Sequence, residues 1–156
     1  MITFLLQNSV FLAISAALLS IFYGIFLTSL VLKHPKGDDK MNAISDAISE
    51  GAGAYLTRQY KVVAVIGTII FVALYFLLGK FTAIGFAIGA IFSAIAGIVG
   101  MTVAVKSNIR TAQAAKKGLS QAFSLAFSGG SVTGLMVAGL ALLSVSGFYY
   151  VLQMFY

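Results

Sequence analysis

The sequence predicts an all-α, polytopic membrane helical bundle: four transmembrane helices with two cytoplasmic helical extensions. Three observations predict it. Of 156 residues, 60% are hydrophobic and 9% are charged, with mean hydropathy +1.03, whereas soluble domains run at about 45–50% apolar and about 25% charged. The ionisable residues leave four charge-free intervals, Met1 to Leu32, Val62 to Gly79, Phe81 to Val105 and Gly118 to Tyr156, each above the roughly 17-residue lower limit for a spanning helix. The apolar runs are continuous rather than alternating, which selects helices over a β-barrel, because a spanning backbone must satisfy its own hydrogen bonds.

The same composition excludes a disordered tail and a polycation that folds on nucleic acid, since both need high charge and low hydrophobicity. The lipid bilayer is the expected partner, and no nucleic acid is. Cysteine is absent, which removes disulfides, thiolate nucleophiles and cysteine metal sites.

The first span is expected near 4–32. No Lys or Arg precedes it, so it lacks the n-region of a cleavable signal peptide and reads as an uncleaved anchor. Pro35 and Gly37 end it, and Asp38 and Asp39 are N-cap candidates for the next helix. Met41, Ile44, Ile48, Ala52, Tyr55 and Gln59 then recur at spacings of three or four, the mark of one helical face. Nothing interrupts that pattern before the second span, 60–79, so connection 33–59 is expected to run into the membrane as one long helix. Gly51 and Gly53 each cost about 1 kcal/mol in a helix interior. With Ala43 and Ala47, Gly51 makes a small-residue row, either a docking groove for a partner helix or chance in an Ala-rich segment. All four acids, Asp38, Asp39, Asp46 and Glu50, lie in this connection. Asp46 and Glu50 share a face; a cation site is one reading and a solvated face the plainer one, because two carboxylates give a hard cation too few oxygens.

The third span is expected over 81–105, with Gly85, Gly89, Ser93 and Gly97 at intervals of four, continuing to Met101. Small residues on one stripe let membrane helices approach closely, so this stripe is expected to face neighbouring helices. Connection 106–129 has a helical apolar side (Ile109, Ala112, Ala115, Leu119, Ala122, Phe123, Ala126, Phe127), with Lys106, Arg110 and Lys117 on another. That basic stripe can steer an anion or hold acidic lipid headgroups; the plainer reading is an interfacial helix that fixes topology. Gly130, Gly134 and Ala138 repeat the small-residue pattern in the fourth span, 130–155.

Apart from Lys61 at the mouth of the second span, no Asp, Glu, Lys, Arg or His falls within a span, although ion carriers as a rule place ionisable groups there. Tyr23, Thr28, Tyr75, Ser93, Thr102, Thr133, Ser144 and Ser146 carry isolated hydroxyls, expected to bond carbonyls of their own helices. His34, alone beside Pro35, reads as a loop residue rather than a metal ligand. There is no Ser/His/Asp set, and Gly129, Gly130 and Ser131 lack the glycine spacing and lysine of a phosphate-binding loop. No catalytic, cofactor-binding or metal-binding residue is assigned. Nine of the ten bases lie in the first and third connections, counting Lys61 at the mouth of the second span with the first, and only Lys80 in the second, so the positive-inside rule makes those connections cytoplasmic and the N-terminus external.

Three stretches resemble the membrane-integral, ion-translocating inorganic pyrophosphatases. Ile44 to Lys61 carries Glu50-Gly51-Ala52, then Tyr55 and Leu56, then Arg58-Gln59-Tyr60, and resembles that family's first cytoplasmic helix. Ser93 to Ala115, with Ala96-Gly97-Ile98-Val99-Gly100-Met101 and Asn108-Ile109-Arg110-Thr111, resembles its third span and the basic exit after it. Gly129 to Leu143, beginning Gly129-Gly130-Ser131-Val132-Thr133-Gly134, resembles its fourth.

The resemblance implies the N-terminal portion of a pump of about sixteen helices, usually a homodimer in the cell (inner) membrane, that hydrolyses pyrophosphate with Mg2+ and moves protons or sodium outward. It implies that the pyrophosphate site, magnesium ligands and ion gate lie on later helices. Here Glu50, Gly51, Arg58, Gln59, Tyr60, Gly97, Gly100, Met101, Arg110 and Gly130 match the family, and with Gly85, Gly89, Ser93 and Gly134 they are read as packing and topology residues. The chain is expected to supply scaffold helices and by itself to be inactive. A proton pump is the expectation, with potassium independence suggested by the fourth span; a sodium pump of the same family and a free-standing four-span transporter or assembly protein are the alternatives.

Overall fold

The computed structural model describes residues 8–155 and contains four helices in that range: α1 (Ser9–Leu32), α2 (Asp39–Leu78), α3 (Lys80–Ala115) and α4 (Leu119–Gln153). The first four residues of the expected first span, 4–7, lie outside the described range. All four helices are long and apolar enough to cross a membrane. At 1.5 Å per residue they measure about 36, 60, 54 and 52 Å, against a hydrocarbon core of about 30 Å. Helix α1 therefore crosses and stops, while α2, α3 and α4 each continue beyond the apolar layer. They do so at the end rich in Lys and Arg, because α2 and α3 are joined at the other end by a single residue, Gly79. Its φ of +90° belongs to a region that glycine enters without steric cost.

The helices stand in an open row. α2 packs only on α3, α3 lies between α2 and α4, and α4 lies between α3 and α1, which touches α3 slightly. From Ala122 the buried positions of α4 run Leu125, Gly129, Val132, Met136 and Gly139, before Leu140, Ser144 and Ser146; the run from Ala122 to Gly139 alternates at three and four, the seven-residue repeat of a left-handed helix seam. On α3 the sequence Ala96, Gly100, Val103, Ser107 and Arg110 repeats the rhythm. Val103, Val132, Met136 and Leu140 form the core with Ala96, and Ile21, Leu27, Phe92 and Val99 pack around it.

Glycines set the closest approaches. A Cβ at Gly139 would lie 3.0 Å from the Ala17 backbone oxygen and 2.8 Å from Ile21 Cγ1, while one at Gly100 would lie 2.8 Å from Thr133 Cγ2. Around these contacts Ser20 Oγ donates across the α1–α4 seam to the Leu135 carbonyl at 2.9 Å.

One expectation about the 106–129 connection is corrected. It is not one interfacial helix: α3 runs on to Ala115, the chain turns at Lys116–Gly118, and α4 starts at Leu119. Gly118 adopts φ +137°, and Lys117 N–H and Gly118 N–H close three-residue turns onto Ala114 and Ala115. The apolar side read through this stretch is thereby split. Ile109 and Ala122 are buried, whereas Leu119, Phe123 and Phe127 are exposed.

Candidate functional site

The charged groups that act between helices gather where α1 ends and α2 begins. Asp38 caps α2, its carboxylate accepting from the Met41 N–H at 2.9 Å. The other carboxylate oxygen meets Lys116 Nζ, just past the C-terminus of α3, at 3.0 Å. The Met41 N–H first, and then Lys116, hold the Asp38 carboxyl below its usual range. The clasp joins two connections 78 residues apart in sequence. Both partners are more than half exposed, so it fixes geometry more than it adds stability.

Arg110 is the second tie. It is only 7% exposed. Its Nε donates to the carbonyls of Leu32 (3.3 Å) and His34 (3.1 Å), Nη2 donates to Leu32 at 3.2 Å, and Nη1 to Lys106. The last carbonyls of a helix have no partner within it; here a guanidinium fork on α3 supplies one to the end of α1. Burial pushes the group below its ordinary pKa, and it nonetheless stays charged. Arg110 thus does not stand on an open basic stripe with Lys106 and Lys117: Lys106 lines a hollow with Ser49 and Leu56 of α2, and Lys117 a different one with His34 and Ser120.

Beside this tie lies an open hollow of about 510 Å3, whose walls include His34, Arg110, Lys117, Ser120, Gln121 and Ser124. His34 Nδ1 donates to the Leu30 carbonyl at 3.0 Å. Gln113 Oε1, also in the wall, is buried without a partner among the described residues.

The other sequence-predicted residues are dispersed. Glu50, Gly51 and Arg58 are exposed on α2, and a Cβ on Gly51 would meet nothing within 4 Å. The stripe on α3 does not address one neighbour. A Cβ at Gly85 would lie 2.7 Å from Phe148 of α4, one at Gly97 would strike the Tyr60 hydroxyl of α2, Gly89 faces open space and Ser93 is exposed. Steps of four on a helix of 3.6 residues per turn advance about 40° each, so Gly85 and Gly97 point about 120° apart. Gly130 and Gly134 also meet nothing; Gly134 lines an outer groove with Tyr23, Leu27 and Ala138. Gly129 and Gly139 make the close contacts of α4 instead, and the signal for them is the seven-residue rhythm.

Thr28, Thr102, Ser144 and Ser146 bond carbonyls of their own helices. Thr133 instead reaches the Gly100 carbonyl on α3, at 3.4 Å. Among the described residues no three His, Asp or Glu side chains gather as metal ligands. Asp46 and Glu50 are exposed, so the residues present do not fit a magnesium site.

A family model described as inorganic H+ pyrophosphatase matches residues 18–155. A K(+)-insensitive pyrophosphate-energized proton pump of Methanosarcina mazei is 44% identical over 146 residues, 92% of this chain and 22% of the relative. A similarly named pump of Moorella thermoacetica is 42% identical over 137 residues, 87% of this chain and 20% of the relative. A protein of Clostridium tetani, provisionally named a K(+)-stimulated pyrophosphate-energized sodium pump, is 36% identical over 130 residues, 83% of this chain and 19% of the relative. The chain thus spans about a fifth of the length of the curated relatives it matches. With four helices able to cross the bilayer, it is an integral, multi-pass membrane chain, and it belongs to the inorganic H+ pyrophosphatase family.

Proposed function

We propose that this chain supplies the scaffold helices of an N-terminal transmembrane segment, residues 1–156, in a pump that couples pyrophosphate hydrolysis to proton translocation. The observation that carries this reading is the family match over residues 18–155, together with 44% identity to a proton pump across 92% of the chain. Proton rather than sodium transport, without potassium, follows the names of the relatives that are 44% and 42% identical. Magnesium, and the pyrophosphate it binds, are held by helices outside these four, since nothing among the described residues gathers the oxygen ligands the metal needs. The remaining helices of the pump, and a second copy in a homodimer, cover faces left open in the row. The packing and topology roles of Glu50, Gly51, Arg58, Gly89, Ser93 and Gly130 belong to those same faces.

Orientation follows from charge. Lys33, Lys36, Lys40, Lys106, Lys116 and Lys117 stand at the end where α2 to α4 outrun the bilayer, and Lys80 is at the other. The positive-inside rule makes the first end cytoplasmic and the N-terminus external, in the cell membrane.

The test is pyrophosphate-dependent acidification of inverted membrane vesicles carrying the full-length protein. Acidification with magnesium, undiminished without sodium or potassium, is expected. Hydrolysis without proton uptake, or uptake that requires sodium, would overturn the proton reading.

A further inference from the structure

We propose that the hollow between the end of α1, the C-terminal turns of α3 and the first turns of α4 is a binding site for the headgroup of an acidic phospholipid. The inference rests on the membrane placement of the helices and not on the pump reading.

Three features converge on an anion. Arg110 is 7% exposed and its bonds occupy Nε and one N–H of each terminal nitrogen. A guanidinium has five N–H groups, so two remain without a partner among the described residues. All of its acceptors are neutral carbonyls, and a buried charge ordinarily has a counter-charge. Lys117 adds a second cation to the same wall, and no carboxylate lines it. The nearest acid in sequence, Asp38, is engaged by Lys116 and Met41.

The third feature is the start of α4. Gly118 offers no side-chain cap, so the first N–H groups of a 35-residue helix are left for another acceptor, and that end of the helix dipole favours negative charge. Ser120, Gln121 and Ser124 extend from this end into the wall, bringing hydroxyl and amide donors. The volume, about 510 Å3, falls in the range of about 300–1,000 Å3 of small-molecule sites.

Depth selects lipid over a free ion. Arg110 is five residues beyond Val105, the last residue before the charges of α3 begin, which is about 7.5 Å along the axis. The headgroup layer is about 5–8 Å thick on each side of the hydrocarbon. The guanidinium also holds the carbonyl of Leu32, where α1 leaves the apolar layer. A phosphodiester anchored by its acyl chains is delivered to this level, while a dissolved phosphate is not.

The experiment is native mass spectrometry of the full-length protein in neutral detergent. It is titrated with phosphatidylglycerol, with phosphatidylcholine, and with phosphatidylglycerol plus an equal concentration of inorganic phosphate. One retained phosphatidylglycerol per chain is expected, weakened about fivefold by Lys117→Gln, abolished by Ser124→Phe, which fills the hollow, and unchanged by Lys106→Gln. Lys117 and Ser124 are exposed, so both variants are expected to melt with the wild type, which the same samples check. Equal retention by all variants, equal binding of phosphatidylcholine, or displacement by inorganic phosphate would each overturn the proposal. So would the absence of any retained lipid, the result expected if remaining helices fill the hollow.

Discussion

The phenolic oxygen of Tyr60 lies over Gly97 and donates a hydrogen bond to the Ala94 carbonyl at 3.1 Å. This contact matters because α2 has no buried residue and packs only on α3. The Gly97 surface is where the phenol rests; a Cβ there would strike the hydroxyl. Tyr60→Phe should cost about 0.6 kcal/mol, the average of interhelical hydrogen bonds in a membrane, and Gly97→Leu about 1–3 kcal/mol as overpacking. Thermal melting of the full-length protein in detergent checks both, and the larger loss should belong to Gly97→Leu.

Gly139 and Gly134 lie on one helix and should respond oppositely. A Cβ at Gly139 meets the backbone oxygen of Ala17 at 3.0 Å, which cannot swing aside as a side-chain end can. Gly139→Ala should therefore separate α1 from α4 and cost about 1–3 kcal/mol. Gly134→Ala meets nothing within these four helices and should be neutral or stabilise by up to about 1 kcal/mol through helix propensity. A matching loss at Gly134, read in the same melting experiment, would show that another helix covers it.

Much of this arrangement was legible in the sequence. Charge-free intervals located the helices, and Pro35, Gly37 and Asp38 marked where α1 ends and α2 begins. The unbroken spacing from Met41 onward corresponds to one helix, Asp39–Leu78. The stop at Gly118 was hidden because its flanks, Ala115 and Leu119, keep a four-residue spacing across the turn. Partner choice was less legible. The glycine stripe draws the eye at intervals of four, yet such a row winds around its helix, and the seam runs instead at alternating threes and fours through Gly100, Gly129 and Gly139. Arg110 read as one of a basic stripe, because its acceptors, Leu32 and His34, come from a helix end more than 70 residues away, and backbone carbonyls leave no trace in a composition.

Arg110→Lys tests the tie between α1 and α3. An ammonium keeps the charge but cannot reproduce the fork that reaches Leu32 and His34 together. Since hydrogen bonds to charged groups contribute about 1.5–3 kcal/mol, a loss of that order is expected in chemical or thermal unfolding. Hydrogen exchange at the last turn of α1 should rise more than exchange at the α3–α4 seam.

The Asp38 clasp predicts a pH dependence. Its folded-state pKa lies below the ordinary carboxylate value of 3.8, by its bond from the Met41 N–H and then by Lys116. A carboxylate depressed on folding stabilises the protein above its unfolded pKa, and that contribution is lost as pH falls through the lower, folded value. Asp38→Ala should melt below the wild type at neutral pH, with the gap closing in acid. Asp38→Asn, which keeps a good N-cap, should lose less. A gap that persists below the folded pKa would separate the effect from the carboxylate charge.

The central claim is that these four helices are scaffold without catalytic groups. Magnesium-dependent phosphate release from pyrophosphate tests it most directly, measured on the 156-residue chain and on the full-length protein. A disulfide formed between Ser20→Cys and Leu135→Cys can report that α1 and α4 are assembled. Release by the full-length protein and none above background from the assembled 156-residue chain is the predicted result; release by that chain alone would contradict it.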